Sequence, residues 1–167
     1  INLNIFNNHC DTVCMANIAQ MVNVLQAMIL TEGSKMVLTP TYHVFALYAA
    51  HQGAQHLESY AETSILRHDE EAVPTLHVSA SRAADGKILI TVANLDAAHP
   101  AEAQVLLGGV KAAAVNGTVL CGTADARNTF TAPDAVQPKA LSAVLTAEGF
   151  TATLPACSVA AFTVTPQ

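Results

Sequence analysis

The stretch LHVSASRAADGKILITVAN, residues 76–94, decides the fold class of this 167-residue chain. Two apolar-rich runs flank the segment AADG, residues 83–86, which suits the tight connection of a β-hairpin. Further short runs follow at fairly regular spacing as far as SVAAFTVT, residues 158–165, and Asn116-Gly117 and Glu148-Gly149 mark turns between them. No helical segment between these runs is long enough for a parallel crossover. The sequence therefore predicts a mainly β fold, an antiparallel sandwich of two sheets.

The first third of the chain has a different pattern, and the change falls near residue 53. Thr39-Pro40 is typical of a helix start, with Thr as the N-cap and Pro at the first helical position, and Gly53 can end that helix. The segment TEGSK, residues 31–35, predicts an exposed turn. Residues 54–74, which contain the charged run HDEE, predict either a crossing connection or an edge strand.

The apolar stretch MANIAQMVNVLQAMIL, residues 15–30, fits either a helix or a short buried strand. Its apolar residues recur at helical spacing, but a fully buried strand shows no alternation, so periodicity alone does not decide. Gln20 lies in the middle, with Asn17 and Asn23 three residues to either side. A buried amide without hydrogen-bond partners costs about 1–3 kcal/mol. Gln20 therefore needs a partner, either within the fold or from outside it.

The composition excludes several classes of protein. Hydrophobic residues make up 51% of the chain and charged residues 12%, which predicts a folded core. The net charge is −6 and Lys and Arg do not cluster, so we expect no nucleic-acid partner. No apolar run has the length of a membrane span, so we expect no membrane partner.

The first residues, INLNIFNNHC, lack the basic region of a signal peptide. Because the chain begins with Ile rather than Met, we expect it to be a piece of a longer protein. The sequence leaves the compartment open, with a cytoplasmic location slightly favoured.

The sequence contains no P-loop, dinucleotide-binding glycine motif, nucleophile elbow or zinc-protease motif. Cys10 and Cys14 lie one helical turn apart beside His9, a spacing that could indicate a metal or redox pair. Without a second such pair, two small hydrophobic side chains on one face are the favoured interpretation. Cys121 and Cys157 could form a disulfide only if the fold brings them together. We expect no metal and no cofactor.

The remaining titratable residues also favour a structural interpretation. His51, His56 and His77 are interpreted as structural or exposed side chains. Glu70 and Glu71 are adjacent, so in a strand they would point to opposite faces and make a poor acid–base pair. A solvated charge cluster is the better interpretation of these two glutamates.

Four stretches resemble the family-51 glycoside hydrolases, which are α-L-arabinofuranosidases. The stretch NIFNNHCDTVCMANIAQMVNVLQAMILTEGSKMVLTPTYHVFALYAAHQ resembles the last part of their catalytic barrel. The stretches LHVSASRAADGKILITVANLD, NTFTAPDAVQP and LPACSVAAFTV resemble their C-terminal β-sandwich. The match covers nearly the whole chain in the family's order. The family commonly carries a basic residue where Thr12 and Cys14 stand, which weakens any role for these two positions.

The resemblance implies a jelly-roll β-sandwich, preceded by the last strand and helices of a (β/α)8 barrel. Residues 1–52 would be the barrel remnant, with the end of the seventh helix, the eighth strand and the eighth helix, and residues 53–167 would be the sandwich domain. Residues 15–22 would be the last barrel strand, fully enclosed. Barrel enzymes place their sites at the C-terminal ends of the strands. Gln20 would therefore bind a sugar hydroxyl in the −1 subsite, as the corresponding glutamine of the family does.

The resemblance also implies the C-terminal portion of a retaining, exo-acting enzyme that removes terminal α-L-arabinofuranosyl residues from arabinose-containing polysaccharides or oligosaccharides. One glutamate would act as acid/base and another as nucleophile. No residue of this chain matches either of the family's two motifs, so we assign no catalytic residue and expect the chain alone to be inactive. The expected partners are the sugar and the remainder of the barrel, and the parent enzyme is expected to be a homo-oligomer.

The alternative is a non-catalytic carbohydrate-binding or oligomerisation module. Sugar-binding sandwiches usually offer exposed aromatic side chains. This chain has no Trp, and three of the four aromatic residues in its sandwich half lie in apolar contexts typical of a core. A barrel remnant also leaves surfaces uncovered. We therefore expect residues 1–52 to be disordered, exchanged between chains or unusually packed in the isolated chain.

Overall fold

The computed structural model describes residues 1–167. Its helices are α1 (Asn2–Asn8) and α2 (Pro40–Tyr48), and a short 3-10 helix, Ala49–His51, follows α2. Neither α-helix has the length or the apolar character of a membrane span. The strands, in chain order, are β1 (Ile29–Glu32), β2 (Lys35–Leu38), β3 (Gln55–Leu57), β4 (Ile65–His68), β5 (Glu71–Pro74), β6 (Leu76–Arg82), β7 (Ile88–Asn94), β8 (Ala101–Leu106), β9 (Ala112–Cys121), β10 (Lys139–Leu141), β11 (Val144–Leu145), β12 (Gly149–Leu154) and β13 (Ser158–Pro166).

Two antiparallel sheets form a sandwich. The larger sheet has six strands in the order β10-β9-β13-β7-β6-β3, and the smaller sheet has three in the order β11-β12-β8. Strands β6 and β7 are the hairpin expected from residues 76–94, and their register ends with Arg82 opposite Ile88. Gly86, in the connection, has a φ of +85°, a conformation that favours glycine. The prediction of a mainly β, antiparallel sandwich is confirmed.

The hydrophobic core lies between the two sheets. Phe150 and Leu154 on β12, and Phe162 and Val164 on β13, are almost wholly buried there. The rings of Phe150 and Phe162 pack with their centroids 4.9 Å apart. Because side chains alternate between the two faces of a strand, every second residue of β12 and β13 enters this core. These rings therefore hold the smaller sheet against the larger one.

Strand β7 is buried on both faces. Its residues Ile88, Ile90 and Val92 belong to the core between the sheets, and every other residue of the strand is buried as well. Thr91, on the opposite face, contacts Asn4 of α1. The N-terminal helices therefore cover the outer face of the larger sheet and add a third layer to the fold.

The other N-terminal elements largely follow their local sequence signals. The hydroxyl oxygen of Thr39 accepts a hydrogen bond from the Tyr42 backbone N–H at 3.4 Å, and Pro40 is the first residue of α2, as predicted. The segment TEGSK forms the exposed turn of the β1–β2 hairpin. Residues 54–74 supply β3, an edge strand of the larger sheet, which was one of the two predicted alternatives. The separate β4–β5 hairpin was not predicted, and the turn predicted at Asn116-Gly117 is wrong, because both residues lie inside β9 and pair with β13.

The enclosed strand predicted for residues 15–22 is wrong for this chain. The backbone there is irregular, and its one ladder contact is an isolated bridge between Val22 and Ile29. Met15 and Met21 are exposed. A parallel barrel strand takes its hydrogen bonds from a strand on each side. No strand of this chain lies beside residues 15–21, so these residues cannot form a ladder.

Candidate functional site

Gln20, the residue expected to bind the sugar, lies on the surface. Its side chain is exposed. Gln20 is therefore not a buried amide that requires a partner inside the fold. The carbonyl oxygen of its amide can accept hydrogen bonds, and the NH₂ group can donate two, so both are available to a group from outside the chain.

The residues after Gln20 turn back onto β1, and we call residues 20–28 the Gln20 loop. The Met21 carbonyl oxygen accepts hydrogen bonds from the backbone N–H groups of Met28, at 3.1 Å, and Ile29, at 3.0 Å. The backbone N–H of Asn23 donates to the Ile29 carbonyl at 3.1 Å. These bonds hold the backbone that directly follows Gln20 against the start of the β1–β2 hairpin.

The side chain of Asn23 adds two further bonds to this contact. Its Nδ2 donates to the Thr31 hydroxyl oxygen at 2.8 Å, and its Oδ1 accepts from the Thr31 backbone N–H at 2.8 Å. The backbone of Asn23 has a φ of 55°, in the left-handed region that Asn tolerates better than most residues. Sequence reasoning noted Asn23 only as a neighbour of Gln20. The available signal was an amide placed within an apolar run.

The far end of the Gln20 loop is tied to α2 through Thr39. The Thr39 hydroxyl donates to the Ala27 carbonyl at 2.8 Å, and the Thr39 backbone N–H donates to the Met28 carbonyl at 3.0 Å. The same hydroxyl oxygen caps α2. A single threonine therefore links the end of the loop to the helix that follows it.

A second polar cluster joins the N-terminal helices to the larger sheet. We call it the junction cluster, and its members are Asn4, Tyr48, Ser79 and Thr91. Asn4 is fully buried. Its Oδ1 accepts hydrogen bonds from the hydroxyls of Tyr48 at 2.7 Å, Ser79 at 2.9 Å and Thr91 at 2.8 Å. Its Nδ2 donates to the His77 carbonyl at 2.8 Å. One amide therefore connects α1, α2, β6 and β7.

His51 extends the junction cluster. Its Nδ1 lies 2.7 Å from the Ser81 hydroxyl oxygen, and its Nε2 lies 3.2 Å from that of Thr91. Burial lowers the pKa of His51 and raises the pKa of Tyr48 to about 12, because burial disfavours the charged form of each side chain. Both side chains are therefore neutral near pH 7, and His51 is a structural residue.

The other titratable side chains considered above do not form a reactive group. His56 and His77 each have one buried ring nitrogen without a hydrogen-bond partner. Burial, and then the charge of the N-terminal amine, lowers the pKa of His77. Glu70 and Glu71 are exposed at the β4–β5 turn. Every other glutamate of the chain is also exposed. The fold therefore brings no pair of glutamates together in a shared enclosed space.

A cavity of about 440 Å³ lies between α1 and α2. Eleven of its 15 lining residues are hydrophobic, Phe6 among them, so it suits apolar side chains better than a polar substrate. Cys10 and Cys14 also line it, and all four cysteines, including Cys121 and Cys157, are free thiols. No three His, Cys, Asp or Glu side chains are grouped in a way that could hold a metal ion.

A family model described as the α-L-arabinofuranosidase C-terminal domain matches residues 1–158. An intracellular exo-α-L-arabinofuranosidase from Bacteroides ovatus is 41% identical over 141 residues, which cover 83% of this chain and 27% of that protein. An intracellular exo-α-(1→5)-L-arabinofuranosidase from Bifidobacterium longum is 31% identical over 170 residues, which cover 90% of this chain and 28% of that protein. The chain thus spans little more than a quarter of the length of these curated relatives.

The fold is also similar to a solved structure. The crystal structure of the GH51 arabinofuranosidase from Xanthomonas axonopodis pv. citri superimposes with a TM-score of 0.93 and 46% sequence identity. The superposition covers 98% of this chain and 34% of that protein. The resemblance noted in the sequence is therefore confirmed by both the sequence and the fold.

Proposed function

This chain belongs to the α-L-arabinofuranosidase C-terminal domain family of the family-51 glycoside hydrolases, and we propose that it is the C-terminal part of a retaining, exo-acting α-L-arabinofuranosidase. The parent protein would hydrolyse terminal non-reducing α-L-arabinofuranosyl residues of arabinose-containing polysaccharides or oligosaccharides. Residues 1–52 would complete its catalytic barrel, and residues 53–167 would form its sandwich domain. The names of the two curated relatives and the family match support this activity.

The contribution proposed for this chain itself is a hydrogen bond from Gln20 to a sugar hydroxyl in the −1 subsite. The observation that carries it is the exposed amide of Gln20 at the start of the Gln20 loop. One end of this loop is bonded to the β1–β2 hairpin, and the other end is bonded to the N-cap residue of α2. A primary amide both donates and accepts hydrogen bonds, which suits a hydroxyl that does the same. A fixed backbone keeps the amide in place before the sugar arrives, which lowers the entropic cost of binding.

The chemistry would be carried by residues outside this chain. A retaining glycosidase needs two carboxyl groups about 5–5.5 Å apart, one as nucleophile and one as acid/base. The glutamates of this chain are exposed and match neither motif, so the 167-residue chain alone would be inactive. Gln20 would hold the sugar ring while the two glutamates act on the glycosidic bond.

The surface of residues 1–38 supports the proposal that the remainder of the barrel covers it. Several large apolar side chains are exposed there, with Leu25 at 91% and Met15 at 67%. Isolated exposed apolar residues are normal, but a concentration of them marks an interaction surface. The superposition on a family-51 enzyme, which covers nearly the whole chain, supports the same assignment. By analogy with the relatives described as intracellular, the parent would be a cytoplasmic protein.

A self-association role for the sandwich is the second candidate, and the outer face of the smaller sheet favours it. Leu106 on β8 and Val144 on β11 are 62% and 65% exposed on that face. Thr151 of β12 lies opposite Val144 of β11 and opposite Gln104 of β8. Leu106 lies two residues after Gln104, so its side chain shares one face of the sheet with that of Val144. Leu106→Lys combined with Val144→Lys should reduce the molecular mass of the parent in sedimentation; an unchanged mass would remove this face from the interface.

Activity on p-nitrophenyl α-L-arabinofuranoside tests the main proposal. The isolated chain should give no turnover, and measurable turnover would overturn the assignment of both glutamates to the rest of the parent. In the full-length protein, Gln20→Ala should weaken transition-state stabilisation by about 1–3 kcal/mol. Gln55→Ala is a matched control, because that glutamine is exposed on the edge strand β3. Unchanged kinetics for Gln20→Ala would show that its amide does not contact the sugar.

A further inference from the structure

We propose that Asn23 is a positioning residue that orients Gln20 through the backbone of the Gln20 loop. This inference rests on the proposed function of Gln20 as a ligand of the sugar. Asn23 would not touch the substrate. It would fix the direction in which the chain leaves Gln20, and so the place that the Gln20 amide can reach.

The hydrogen bonds along the free edge of β1 carry this inference. Strand β1 pairs with β2 on one side only. On its other edge, the N–H and carbonyl of Ile29 bond to the backbone of Met21 and Asn23. Two residues further along the same edge, the Thr31 N–H bonds to the Asn23 side chain at 2.8 Å. The amide of Asn23 therefore continues the ladder by one step, at the point where the backbone of the loop turns away.

The backbone of the loop needs such a contact. Asn23 has a φ of 55° and Gln26 a φ of 59°, and both are outside the conformations that most residues prefer. Two such residues in one short loop persist only when surrounding contacts hold them. The bonds of Asn23 to Thr31 and of Thr39 to Ala27 are those contacts, one at each end. Removal of the first pair would leave the end of the loop that adjoins Gln20 held only by its backbone bonds to Met28 and Ile29.

The exposure of Asn23 separates this role from a general contribution to stability. The side chains of Asn23 and Thr31 are exposed. Exposed interactions usually change stability little when they are removed. A substitution at Asn23 should therefore lower kcat/KM by more than its small effect on the melting temperature explains, and Asn23→Gly, which tolerates the left-handed backbone, should change that temperature least.

The test uses the full-length protein and p-nitrophenyl α-L-arabinofuranoside. Asn23→Ala and Asn23→Gly should each lower kcat/KM by about tenfold, and the glycine variant keeps access to the left-handed backbone. Asn23→Asp should stay within about threefold of the wild type, because its oxygens can accept from both the N–H and the hydroxyl of Thr31. Thr31→Ser retains the hydroxyl and is the matched control. The melting temperature should change by less than about 4 °C in all four variants.

A double-mutant cycle with Gln20→Ala decides whether Asn23 acts through Gln20. If it does, Asn23→Ala should have little further effect on kcat/KM in the Gln20→Ala background. Wild-type kcat/KM for Asn23→Ala, or an undiminished effect in the Gln20→Ala background, would overturn the inference. Unchanged kinetics for Gln20→Ala alone would instead refute the proposed function of Gln20, so the two failures are distinguishable.

Discussion

Asn4→Ala should be among the most destabilising single substitutions in this chain, and the magnitude follows from the junction cluster. The substitution removes four hydrogen-bond contacts from a fully buried site. Ser79 and Thr91 can still bond to each other across 2.8 Å. The Tyr48 hydroxyl and the His77 carbonyl lose their partner. The loss of the Asn4 amide by a buried hydroxyl and a part-buried carbonyl, at about 1–3 kcal/mol each, gives a loss of about 2–6 kcal/mol.

Urea denaturation of the 167-residue chain, followed by far-UV circular dichroism, measures this loss. Near-UV circular dichroism should report the change at Tyr48, because that ring packs in the junction. Asn2→Ala is the control, since Asn2 is exposed on the same helix and its substitution gives the same gain in helix propensity, less than about 0.7 kcal/mol. A loss below about 1 kcal/mol for Asn4→Ala relative to Asn2→Ala would refute the reasoning, because it would mean that water replaces the amide at little cost.

Three further outcomes follow from the fold. The free energy of unfolding should fall as the pH decreases below about 6.5, because the pKa of His51 is lowered in the folded state and the unfolded chain therefore binds more protons. Equal urea midpoints at pH 7.5 and 5.5 would contradict this. His51→Gln should reduce the difference between the two midpoints. Phe150→Ala should cost about 3–5 kcal/mol, whereas Tyr60→Ala, at a side chain that is 82% exposed, should cost less than about 0.5 kcal/mol; similar losses in thermal denaturation would be inconsistent with the assigned core. Gly149→Ala should disrupt the pairing of β12 with β8, because its Cβ would lie 1.9 Å from the Val105 carbonyl oxygen; a wild-type melting temperature would show that β8 can shift without loss.

Local signals were sufficient wherever an element is set by its own residues. The hairpin of residues 76–94 and the start of α2 at Thr39 appear as predicted, because turn chemistry and capping act within a few residues. The separate β4–β5 hairpin was missed, because residues 65–74 are mostly exposed and carry no alternating apolar pattern. The resemblance of the sequence to family-51 enzymes identified the family, but it could not supply the contacts around Gln20.

The two polar clusters could not be predicted, because their partners are distant in sequence or hidden in an apolar run. Asn4 bonds to residues 44, 75 and 87 positions away, and the segment that contains it, NLNIFNN, shows no sign of a buried amide. Asn23 is closer to its partner, but its role depends on a left-handed backbone and on the free edge of β1. Neither condition is visible before the chain has folded.

By itself, the sequence determined the class of fold, the turns at residues 83–86 and 31–35, the helix cap and the family, because each depends on local chemistry or on a matching order of residues. Only the tertiary structure decided that residues 15–22 form no strand in this chain and that Gln20 is exposed. The physical reason is that a parallel strand exists only through hydrogen bonds to neighbours on each side. The tertiary structure also decided that the N-terminal helices lie on the outer face of the larger sheet, because a buried amide such as Asn4 is stable only where its four partners, from three elements, meet.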